Sequence, residues 1–75
     1  MVKRRLVVEN TFTGEIREVD VEEDLTFGEA LINLVPLDER DCFWVLDEEG
    51  TEISSVTVKN YKGVKVYITP GLHDA

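Results

Sequence analysis

Apolar and polar residues alternate along this chain with a period of two, except in one stretch where the period lengthens to that of a helix. Residues 2 to 10 read as a first strand, with Leu6 and Val8 on one face and Arg5, Val7 and Glu9 on the other. Thr11 to Glu15, TFTGE, is a turn in which Gly14 can take a positive φ. Residues 16 to 22 return as a second strand with Val19 and Val21 inward and Glu18, Asp20 and Glu22 outward, the pattern of a sheet with one wet face. Pairing Leu6 with Val21 and Val8 with Val19 leaves Thr13-Gly14 as a two-residue loop, the register expected here.

The period changes at Leu25 to Pro36, LTFGEALINLVP. Thr26 is placed to cap a helix, and Glu29 completes a capping box in which each side chain satisfies a free backbone N–H at the helix start. Phe27, Ala30, Leu31 and Leu34 form one apolar stripe, and Pro36 ends the helix. Leu37 to Asp41 is then a polar turn. Cys42 to Leu46, CFWVL, is a strand with almost no polar residue, so alternation cannot assign its faces. Asp47 to Gly50 is a tight turn, and Thr51 to Ser54 is expected as a short strand completing a second hairpin. Val56, Val58 and Tyr61 pin an irregular stretch. Val64 to Thr69 is the last strand, with Val64, Val66 and Ile68 inward and Lys65 and Tyr67 outward. The order β-β-α-β-β-β, with one amphipathic helix needing a surface to lie on, is an α+β arrangement whose first and last strands make a natural central pair.

Size bounds this picture: 75 residues make one domain near the lower limit for a core without staples. The single domain is expected over residues 1–71, with 72–75 as a short polar tail. One cysteine, Cys42, permits no internal disulfide and no cysteine-rich metal site. MVKRR at the start is not a signal peptide, so a reducing, cytoplasmic compartment is expected. The net charge of −8 argues against a nucleic-acid partner, and no stretch is apolar enough to suggest a membrane partner. Charge is unevenly spread, however. The central-pair arrangement would bring Lys3 and Arg5 near Lys65, a basic strip on an acidic molecule and a candidate docking site for an acidic segment of a protein partner.

The residues from Val8 to Leu34 resemble the ubiquitin-like β-grasp family. The motif is V-x-x-T-x-T-G, then an acid-rich strand ending in Val21, then Thr26 capping a helix with Ala30 and Leu34 inward. CFWVL stands where the family's third strand lies, and VKNYKGVKVYI (58–68) has the spacing of its last turn and strand. The resemblance implies a mixed sheet of four to five strands with one helix packed across one face. It also implies a non-covalent interaction module, or a small subunit of a complex, that binds proteins through an apolar patch on the open sheet face. The matching positions are Phe12, Trp44 and Tyr67, with Phe43 and Val45 under the helix. A modifier or sulfur-carrier role is the alternative, with Gly71 as the conjugation terminus after removal of the tail. Against the family's pattern, Gly71 follows Pro70 rather than a second glycine, and Leu72 to Ala75 come after it.

No catalytic constellation is visible, and the chain is not expected to be an enzyme or to hold a cofactor or metal. His73 stands alone beside Asp74, and Cys42 has no thiolate-stabilising neighbour in sequence. The acids at 38 to 41 and 47 to 52 lack the alternating oxygen-ligand spacing of a calcium loop. Ser54 and Ser55 have no adjacent base.

Overall fold

In the computed structural model, which describes residues 2–71, Lys3–Asn10 (β1) and Glu15–Glu22 (β2) form the first hairpin. Phe27–Leu31 (α1) follows, then Phe43–Leu46 (β3) and Lys65–Pro70 (β4). The strand order is β2-β1-β4-β3, with β1 and β4 parallel and the other pairs antiparallel. The described residues thus form a small α+β domain with a mixed four-stranded sheet, the first and last strands paired at its centre.

The hairpin register differs from the expected one. Leu6 pairs with Val19 and Arg4 with Val21, so four residues, Thr11 to Gly14, make the loop. Asn10 is the cause. Its carbonyl accepts from Gly14 N at 2.7 Å and Thr13 N at 3.3 Å, and its side-chain oxygen accepts from Phe12 N at 3.0 Å. Gly14 takes a φ of 79°. The slip is by two residues, so Leu6, Val8, Val19 and Val21 still share one face, as the alternation required.

The helix is shorter than expected. Five α residues give way to a 3₁₀ turn over Ile32–Leu34. A helix this short cannot hold itself together, and its backbone donors are satisfied one by one. Glu29 N donates to Thr26 Oγ1 at 3.2 Å and Thr26 N to Glu29 Oε1 at 3.0 Å, completing the capping box. Phe27 N and Gly28 N donate to Val56 O and Ser54 O at 3.0 and 2.9 Å. A Cβ on Gly28 would lie 3.3 Å from Ser54 O, so glycine lets this strap approach. At the other end Asn10 Nδ2 donates to Leu34 O at 2.7 Å, and Arg40 Nε donates to Val35 O at 3.0 Å.

Phe27 and Leu31 are fully buried against Leu6, Val8, Val45, Val58, Val66 and Ile68 on the helix side of the sheet. Two expectations about the second half fail. Val64 is 65% exposed, because β4 begins one residue later. Thr51 to Ser54 makes no strand: it contributes one isolated bridge, Glu52 to Leu46, while Ile53 N donates to Val45 O at 2.8 Å and its side chain turns into the core. Ser54 Oγ then takes the Val45 N–H at 2.8 Å, replacing the backbone partner a fifth strand would have supplied.

Candidate functional site

The sheet has one face under the helix and one that no helix or strand among the described residues covers. Alternation from the buried residues Leu6, Val8, Val45, Val66 and Ile68 puts Lys3, Arg5, Val7 and Glu9 of β1 on the open face. With them lie Trp44 and Leu46 of β3, and Lys65, Tyr67 and Thr69 of β4. Strand pairing arranges these in rows. One row runs Ile16, Glu9, Tyr67, Leu46, Glu52, a second runs Glu18, Val7, Lys65, and Trp44 sits beside Thr69.

Val45 is completely buried and Phe43 packs against the core from the same side, so the strand lies with Trp44 outward, as expected. Trp44 and Tyr67 are both half-buried on the open face, next-but-one neighbours across β3 and β4. Phe12 is placed elsewhere: it lies in the hairpin loop and packs against the core cluster. Leu46, which the sequence reading passed over, stands in the same row as Tyr67. Its signal was simple parity, two residues beyond Trp44.

The three bases of the anticipated strip do share the open face, but each has an acid beside it. Arg5 Nε contacts Asp20 Oδ1 at 3.0 Å and its Nη1 lies 3.9 Å from Glu18. The hydrogen bond from Arg5 holds the Asp20 carboxyl below its ordinary range. Lys3 pairs in register with Glu22. Lys65 Nζ is 3.4 Å from Glu9 and 4.8 Å from the Tyr67 ring centroid. The Tyr67 hydroxyl, and behind it Glu9, raise the Lys65 ammonium above its usual range. The strip is a surface of mixed charge.

Arg4 was not singled out, yet it has the most elaborate setting of any charged group described. It lies on the helix-side parity of β1, and its guanidinium donates to the carbonyls of Val58, Tyr61 and Gly63. It also sits 5.8 Å from the Tyr61 ring centroid. Tyr61 in turn meets Phe27 edge-on at 5.3 Å and donates its hydroxyl to Lys65 O at 2.7 Å. Burial raises the Tyr61 phenol, helped by the charges of Asp47 and Glu48. Arg4 is therefore a structural tie that holds the 58–63 segment.

Gly71 N donates to Cys42 O at 3.2 Å, continuing the β3–β4 ladder. A Cβ there would lie 2.5 Å from Cys42 Sγ and 3.3 Å from Trp44 Cδ1, so a larger residue would have to displace the Cys42 side chain. His73 and the rest of the 72–75 tail lie outside the described residues. Among the described residues no group of three or more metal-ligating side chains gathers, and no helix is long and apolar enough to cross a membrane. A groove of about 200 Å³ lies between the hairpin and the end of the helical segment, lined by Asn10, Arg17, Asn33 and Leu34 among others. Arg17 there is already paired with Glu15 at 2.8 Å. Comparison of the chain with protein-family models and with curated proteins finds no match to either.

Proposed function

We propose that this chain is a ubiquitin-like β-grasp domain acting as a non-covalent protein-interaction module through its open sheet face. The strand order with a parallel central pair, the single helix across one face and the intact capping box support the fold half of this reading. The function half rests on one observation: Trp44, Leu46 and Tyr67 stand together on a sheet face that no helix or strand among the described residues covers. Aromatic side chains in such a position bury large areas at little entropic cost when a partner closes over them, which is why they dominate interface energetics. A modifier role at Gly71 has no comparable observation behind it, since the glycine is packed beside Cys42 and Trp44 at the end of β4.

The test is to recover the wild-type protein and a Trp44→Ala/Tyr67→Ala variant from the native cells and compare bound proteins before and after a denaturing wash. A partner held by the wild type, lost by the variant and removed by the wash is the expected result. Equal retention by a folded variant would refute the docking reading, and wash-resistant adducts joined through Gly71 would establish the modifier role in its place.

A further inference from the structure

Resting on that docking reading, we infer that the partner presents a basic segment with an apolar centre, seated on the Trp44–Leu46–Tyr67 half of the open face. The charges decide this. On the β1–β2 half, Arg5 is paired with Asp20 and Glu18, and near the centre Lys65 is paired with Glu9. Arg5 and Lys65 are thus engaged within the domain, and Lys3 stands beside Glu22, so the face offers little to an acidic partner.

The apolar half is rimmed differently. Glu52 stands beside Leu46 through their bridge. Directly after Leu46 come Asp47, Glu48 and Glu49, the acidic turn that leaves this end of β3. Asp47 Oδ1 accepts from the backbone N–H groups of Glu49 and Thr51, both at 2.9 Å, so this acidic turn has a fixed shape. No ion pair engages Asp47, Glu48, Glu49 or Glu52 among the described residues. Their field already acts inside the domain, where Asp47 and Glu48 help to raise the Tyr61 phenol. A partner that brings carboxylates to this rim adds like charge to like. One that brings lysine or arginine relieves the repulsion, gains on-rate by steering and can lay its apolar residues on Leu46 and Tyr67.

The experiment uses short synthetic peptides sharing one pattern of leucine and phenylalanine, flanked in turn by arginine, by glutamine or by glutamate. Trp44 is the single tryptophan of the chain, so its fluorescence reads occupancy of the face, and amide chemical shifts locate it. The arginine-flanked peptide should bind about tenfold more tightly than the glutamine-flanked one, with the advantage shrinking as salt rises from about 0.02 M to about 0.5 M. A Glu48→Lys/Glu49→Lys variant, altered at two exposed turn positions, should lose that advantage while binding the glutamine-flanked peptide as before. Equal binding of all peptides at Trp44 would overturn the inference about charge and leave the docking face standing. Tighter binding of the glutamate-flanked peptide would also overturn it. Shifts confined to the helix side, or no response at Trp44 to any peptide, would overturn both.

Discussion

Arg4 and Arg5 are neighbours in sequence and occupy opposite faces of the same sheet. Arg4 points to the helix side, where its guanidinium fork takes three backbone carbonyls and lies near the Tyr61 ring. Arg5 points to the open face, where its partners are exposed carboxylates. The helix side is closed, and among the described residues no buried side-chain nitrogen or oxygen lacks a hydrogen bond. The open side carries two aromatic residues, a leucine and a set of solvent-screened ion pairs. Identical side chains thus do different work: one ties down a segment on the closed face, while the other pairs with exposed carboxylates on the open one.

Truncating one aromatic on each face gives the largest contrast. Phe27 is fully buried beneath the sheet, so Phe27→Ala should cost about 3–5 kcal/mol, enough to unfold much of a domain this small. Trp44→Ala should cost within about 1 kcal/mol, because Trp44 is only half-buried and lies on the face opposite the helix. Urea melts of the two variants measure both. A Trp44→Ala variant that melts as early as Phe27→Ala would mean the open face is part of the stabilising core.

The two arginines give a smaller and cleaner version of the same contrast. Arg4→Met keeps much of the aliphatic stem and removes the fork, so the part-buried Tyr61 and Gly63 carbonyls lose this donor while Val58 O keeps only the Tyr61 N–H, and it should cost about 2–3 kcal/mol. Arg4→Lys should recover only part of it, since an ammonium cannot reproduce the fork. Arg5→Met should melt with the wild type. Amide exchange adds a local readout: in Arg4→Met, protection should fall first at Asn60 and Tyr61, whose N–H groups bond to Thr57 O and Val58 O in the segment that Arg4 ties down. Equal melting of Arg4→Met and Arg5→Met would remove the tie from the account.

The same division governs what could be read in the sequence. The capping box, the alternation of β2 and the central pairing of β1 with β4 are local or follow from parity, and they were legible. The register was not, because it is set by Asn10, whose carbonyl closes the loop and whose amide reaches across to Leu34. The missing fifth strand was not legible either. Ile53 and Ser54 fit a strand by composition, but they spend their groups on Val45 and on the helix N-terminus instead. Arg4 left a clue: it has the parity of Leu6 and Val8, and a charged residue on a buried face must have a partner. On the open face, sequence named Trp44 and Tyr67 but could not foresee that Phe12 turns toward the core, because the direction of a loop residue depends on the register that Asn10 sets.

The smallest effect separates the faces by pH. Glu29 closes the capping box at the start of α1, and the Thr26 backbone N–H, followed by its hydroxyl, holds the carboxyl below its ordinary value of 4.5. On the open face, Arg5 holds Asp20 below its ordinary 3.8 in the same way. A carboxyl whose folded-state pKa is depressed contributes stability that is fully present above its unfolded value and is lost as pH falls through the folded one. Stability should therefore decline from about pH 5 to about pH 2. Glu29→Gln keeps a side-chain acceptor for the capping box while removing the titration, and Asp20→Asn does the same at the ion pair. Each variant should show a shallower decline than the wild type. The Asp20 contribution should vanish first as salt is added, because its partner is an exposed guanidinium whose field is screened, whereas Glu29 is held by short contacts to Thr26. Urea melts across the acid range at low and high salt measure this. Wild-type and Glu29→Gln curves that run parallel throughout would show that the capping carboxylate carries no pH-dependent stability.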